Sequence, residues 1–159
     1  MIETLAILPL VPLPYQTEPV PPVPAGWQAS FTRLRLPADA PVLVVSVTII
    51  GHTDVMRWEA ETGEPSLVVG GYFLGPSKTG QAVFNLGSMQ PAAEFLNYLW
   101  KGKGSGSPRA RAMIRAALVY WRPAAIVAVT RLGSRLERFL AAVAGRPAFR
   151  AGQVIAWRR

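Results

Sequence analysis

Three observations predict an α+β chain. Prolines crowd the opening as far as residue 24, residues 25–87 read as short strands separated by turns, and helix capping signals begin after Ser88. The expected architecture is an antiparallel β meander followed by about three helices and one or two further strands, with an extended proline-rich N-terminal arm. Residues 1–24 are expected to form the arm and residues 25–159 a single α+β domain, β-rich over 25–87 and helix-rich and basic over 88–159.

The arm is predicted from its prolines. Seven of the 15 lie between Pro9 and Pro24. Each fixes φ and removes a backbone donor, and each pushes the preceding residue toward extended geometry. Helix and central strand are both excluded, which leaves a polyproline-like path. Leu8, Leu10, Val11, Leu13, Tyr15, Val20 and Val23 make that path apolar, so it is expected to dock on a partner surface. The spacings Pro9–Pro12, Pro19–Pro22 and Pro21–Pro24 suit aromatic grooves, although no arginine flanks them inside the arm.

The body is read in chain order. Trp27 to Leu36 shows alternation and is expected to be a strand, and Val42 to Ile50 is β-branched and almost continuously apolar, the mark of a central strand. Val55 to Ala60 alternates again, and Ser66–Leu74 and Gln81–Leu86 complete the meander. Pro91–Lys101 follows as a helix stopped at Gly102. Ser107 caps a second helix that begins at Pro108 and runs to about Trp121, closed by Pro123. Ala124–Thr130 reads as a buried strand. Ser134 and Glu137 have capping-box spacing and open a third helix, which Gly145 and Pro147 stop. Gln153–Trp157 is a last short strand.

Composition narrows the function classes. Half of the 159 residues are hydrophobic, which supplies a core and excludes a disordered body. The absence of cysteine excludes a disulfide framework, a thiolate nucleophile and a cysteine metal site. The first ten residues lack the basic start of a signal peptide, and the longest apolar run, Met113 to Thr130, contains Arg115, Arg122 and Pro123, so no membrane span is expected. A virion or cytoplasmic location is the corresponding expectation.

Charge is unevenly placed. Residues 1–99 carry four basic against eight acidic groups, a net −4, and residues 100–159 carry 13 basic groups against Glu137 alone, a net +12. One electropositive face and an acidic partner are implied, either nucleic acid or the acidic half of a neighbouring copy. Lys101, Lys103, Arg109, Arg111, Arg115 and Arg122 are the candidate contacts to phosphate or carboxylate. Arg111, Arg115 and Arg122 are predicted to share one stripe of the second helix, with Arg109 apart from it. The glycine-rich loop from Gly102 to Ser107 stands before a helix N-terminus, the setting of an anion cradle, but it is not a Walker A motif. His52 is the single histidine and reads as a turn residue beside Asp54. No catalytic residues, metal site or cofactor are predicted, because carboxylates are sparse and fall mostly in turns.

At the level of class, a basic α+β domain with an apolar arm and no catalytic cluster resembles virus and phage structural subunits, which use such arms to lash neighbours together. The resemblance implies a non-enzymatic assembly subunit, such as a capsid-decorating, tail or connector protein, whose partners are copies of itself and other subunits. The alternative is a nucleic-acid-binding protein using residues 101–122.

Overall fold

The computed structural model describes residues 21–37, 39–46, 54–63, 66–69, 73–76, 82–85 and 90–159. Among these the chain forms α1 (Trp27–Leu34), β1 (Pro41–Val45), α2 (Asp54–Thr62), β2 (Leu67–Val69), β3 (Phe73–Pro76), β4 (Ala82–Asn85), α3 (Gln90–Trp100), α4 (Pro108–Trp121), β5 (Ala125–Val129), α5 (Arg135–Ala144), β6 (Phe149–Ala151) and β7 (Val154–Arg158). A five-stranded sheet runs in the order β2-β1-β5-β7-β6, and β3 and β4 form a separate antiparallel pair.

The sheet is mixed, which overturns the predicted meander. β1 pairs parallel with β2 on one side and with β5 on the other, in the register Val42↔Ala125 to Val45↔Ala128. β7 and then β6 extend the sheet antiparallel. Only the β3–β4 pair keeps the hairpin geometry expected of residues 66–86.

Two of the expected strands are helices: α2 is the crossover that the parallel pair β1–β2 needs, and α1 precedes the first strand. In α1 the buried residues are Trp27, Ser30, Phe31 and Leu34, a helical spacing of three and four. The alternation had set Phe31 with Arg33 and Arg35, a face no core would accept. In α2 the buried pair is Val55 and Trp58, three apart, whereas Met56 is 60% exposed. Asp54 in the first turn of α2 adds favourable charge at its N-terminus.

Both faces of the sheet are covered. Leu43 and Val45 of β1, Ile126 and Ala128 of β5, and Ile155 and Trp157 of β7 pack against Leu96 and Leu99 of α3, Ile114 and Leu118 of α4, and Leu136 and Leu140 of α5. The intervening Val42, Val44, Val127, Val154 and Ala156 meet Trp27, Phe31, Val55 and Trp58 of α1 and α2 on the other face. This two-sided burial explains the uninterrupted apolar runs of β1 and β5. On the second face Trp27 lies 5.1 Å from Phe31 and 5.5 Å from Trp58 between ring centroids. Its indole N–H donates to Thr62 at 3.2 Å.

The capping signals of the basic half hold. Ser107 accepts from the Ala110 N–H at 3.2 Å, with Pro108 at the helix start. Ser134 accepts from the Glu137 N–H at 3.1 Å. Glu137 departs from the reciprocal capping box, because its carboxylate reaches the Gly133 N–H instead of that of Ser134. β6 escaped the sequence reading: three residues of alternating partial burial carry little periodicity.

Candidate functional site

β1 and β5 are parallel neighbours whose chains leave their carboxyl ends toward opposite faces. From Val45 the chain goes to α2 on one face, and from Val129 it goes to α5 on the other. Diverging connections between adjacent parallel strands leave a crevice above the sheet, the usual ligand position in open α/β sheets. A crevice of about 1290 Å³ lies at this place.

Six parts of the chain wall it. Ser46 follows β1, and Thr130, Arg131 and Ser134 follow β5. Trp100, Lys101 and Gly102 come from the end of α3, and Gly152 and Gln153 from the β6–β7 turn. Asp54 and Trp58 of α2 and the arm residues Pro21 to Pro24 complete the lining. Ser46 and Thr130 are buried, and Thr130 donates to the Ser134 hydroxyl at 3.0 Å. Trp58 is buried as well, and its indole N–H has no hydrogen-bond partner among the described residues.

Hydrogen bonds fix the loop from Thr130 to Ser134. The Thr130 N–H donates to Gln153 O at 2.8 Å, tying the loop to the β6–β7 turn. The Gly133 N–H donates to the buried Glu137 carboxylate at 2.5 Å, and the Arg138 guanidinium donates to the Gly133 carbonyl. Arg150 neutralises Glu137 across a 2.5 Å ion pair. The Trp100 indole N–H donates to Val129 O at 2.7 Å, so the end of α3 is fastened to the end of β5. Lys101 and Arg131 are thereby brought to one crevice that holds a single carboxylate among its lining residues, Asp54. The first turn of α5 begins behind Ser134 on the same wall; Ser134 caps the Glu137 N–H, and the Arg135 and Leu136 N–H groups have no acceptor within the helix.

The predicted contact residues divide. Lys101 lines the crevice, and Lys103 is exposed on the loop beyond it. Arg109, Arg111 and Arg115 lie on α4, away from the lining, and Arg115 donates to Ala142 O at 3.3 Å. Arg122 leaves the predicted stripe: it is the left-handed C-cap of α4, at φ 47°. The glycine-rich loop has committed the donors of its first half, since the Gly102 N–H donates to Leu99 O at 3.0 Å and the Lys103 N–H to Tyr98 O at 2.8 Å, while the Gly102 and Gly104 carbonyls accept from Arg135 at 2.9 and 2.8 Å.

Of the arm residues expected to dock on a partner, Leu8, Leu10, Val11, Leu13, Tyr15 and Val20 lie outside the described residues, as does His52. Val23 is described and packs against the α1–α2 face of its own domain. Backbone contact fixes the base of the arm there. A Cβ built on Gly26 would lie 2.7 Å from Ala151 O, and one built on Gly152 would lie 2.9 Å from Ala25 O.

Sequence reasoning missed Thr130, Arg131, Gln153 and Trp100 as site residues. The available signal was a buried strand followed within five residues by a capping serine, the form of a βα turn in a parallel sheet. Among the described residues no group of three metal-ligating side chains occurs, and no helix is long and apolar enough to cross a membrane. Compared with protein-family models, curated proteins and solved structures, the chain matches none.

Proposed function

We infer that the protein binds an anionic small ligand in the crevice above β1 and β5. The observation that supports this reading most is the pair of parallel strands whose connections diverge, leaving a crevice lined by two exposed basic residues, Lys101 and Arg131. Lys101 and Arg131 supply charge, and the Ser134 hydroxyl and the first backbone N–H of α5, that of Arg135, supply neutral donors. Phosphate and carboxylate both suit this donor set. Titration calorimetry with inorganic pyrophosphate tests the reading. Wild-type protein should bind it, and the double variant Lys101→Glu, Arg131→Glu should bind at least about tenfold more weakly, the loss of two charge contacts. The α4 pair Arg109→Glu, Arg111→Glu should bind as wild type does. Equal loss in both pairs, or no binding by wild type, would refute it.

The outer side of α4 favours a second reading, an assembly subunit such as a virion component. Val119 and Tyr120 are 69% and 62% exposed there, beside the basic Arg115. The complementary surface is the acidic half of a second copy, since residues 1–99 sum to −4 against +12 for the rest. Size exclusion across a concentration series should show an oligomer that Tyr120→Glu dissociates. A wild-type monomer at every concentration would remove this reading.

A further inference from the structure

Trp100 carries the crevice reading further, to the class of ligand. It is the last residue of α3, and it remains 37% exposed while Trp27, Trp58 and Trp157 are buried. The indole N–H is already committed to Val129 O, so one edge of the ring is tied to the end of the sheet. A ring held in that way presents a face without losing rotamer freedom when something stacks on it. Lys101 follows it directly, and Arg131 stands on the same wall. Gln153, also lining the crevice, carries both a donor and an acceptor on one amide.

We propose that the ligand is a nucleotide, with its base stacked on Trp100 and its phosphates on Lys101, Arg131 and the turn from Thr130 to Ser134. This rests on the anion reading of the same crevice and adds the planar group. A fixed aromatic face beside cations recognises a molecule that joins a π-system to phosphate, since every base has a stacking face. Gln153 is placed to read a base edge.

The test compares ATP with tripolyphosphate, which has the same chain of phosphates and no base. Stacking on one aromatic side chain should make ATP bind roughly tenfold more tightly. Trp100→Leu should bring the ratio of the two affinities close to one, whatever it does to tripolyphosphate binding itself, and Trp100→Phe should retain part of the preference. A thymidine dodecamer distinguishes the source of the nucleotide: much tighter binding than the mononucleotide indicates a strand, and equal binding a free nucleotide, both through Trp100. Equal affinity for ATP and tripolyphosphate would overturn the proposal and leave the anion reading intact. Failure of both to bind would overturn the two together.

Discussion

The Glu137 carboxylate and the Arg150 guanidinium meet at 2.5 Å, joining α5 to β6 across one end of the sheet. The two sides are unequal, because the Glu137 side chain is 8% exposed and that of Arg150 51%. Glu137 also holds the Gly133 N–H, so it fixes the loop that carries Thr130 and Arg131. Removing Glu137 empties a buried position and takes the charged acceptor from both the Gly133 N–H and Arg150, whereas removing Arg150 leaves a carboxylate that keeps its backbone partner. Glu137→Ala should therefore destabilise by about 2–3 kcal/mol and Arg150→Ala by about 1 kcal/mol or less. Urea unfolding measures both, and equal losses would contradict the asymmetry.

Helical geometry at α2 predicts opposite outcomes at adjacent positions. Met56 is 60% exposed and Val55 9%. Met56→Lys should stay within about 0.5 kcal/mol of wild type, as surface changes do. Val55→Lys, which buries a charge on the α1–α2 face, should cost more than about 2 kcal/mol. A strand would make Met56→Lys damaging, since Met56 and Trp58 would share its inner face.

These two positions show where the sequence was legible and where it was not. Long periodic segments with caps read correctly: α4 begins at Pro108 behind Ser107, and α5 begins behind Ser134. The eight and nine residues of α1 and α2 span little more than two turns, so a period of 3.6 and a period of two fit the same few apolar side chains. Sheet topology followed from that misreading. With α2 read as a strand, no crossover remained between β1 and β2, and residues 27–86 were left with the connections of a meander. The crevice was invisible for the same reason, since it exists only where β1 and β5 lie side by side. Of the predicted basic contacts, Lys101 alone lines it.

Gly26 and Gly63 offer a matched pair for the base of the arm. Both have positive φ, 92° and 80°, but a Cβ on Gly26 would strike Ala151 while one on Gly63 would meet nothing within 4 Å. Gly63→Ala should cost about 1 kcal/mol from backbone strain alone. Gly26→Ala should cost about 1–2 kcal/mol more, because the arm must lift off β6. Thermal unfolding of the two variants side by side checks the difference.

Arg135 clamps the loop after α3 through Gly102 and Gly104. Arg135→Ala should leave global stability within about 1 kcal/mol, as expected for an exposed side chain. Hydrogen exchange at the Lys103 amide, which donates to Tyr98 O at 2.8 Å, should nonetheless accelerate, because the loop loses its second anchor. Unchanged exchange there would show that the helix end holds the loop without Arg135.

The crevice above β1 and β5 is tested most directly by amide chemical-shift mapping during titration with pyrophosphate. Binding there predicts that Lys101, Gly102, Arg131, Ser134, Arg135 and Gln153 move together along one saturation curve, while Arg111 and Arg115 on α4 stay in place. Shifts confined to α4, with residues 131–135 unmoved, would contradict it.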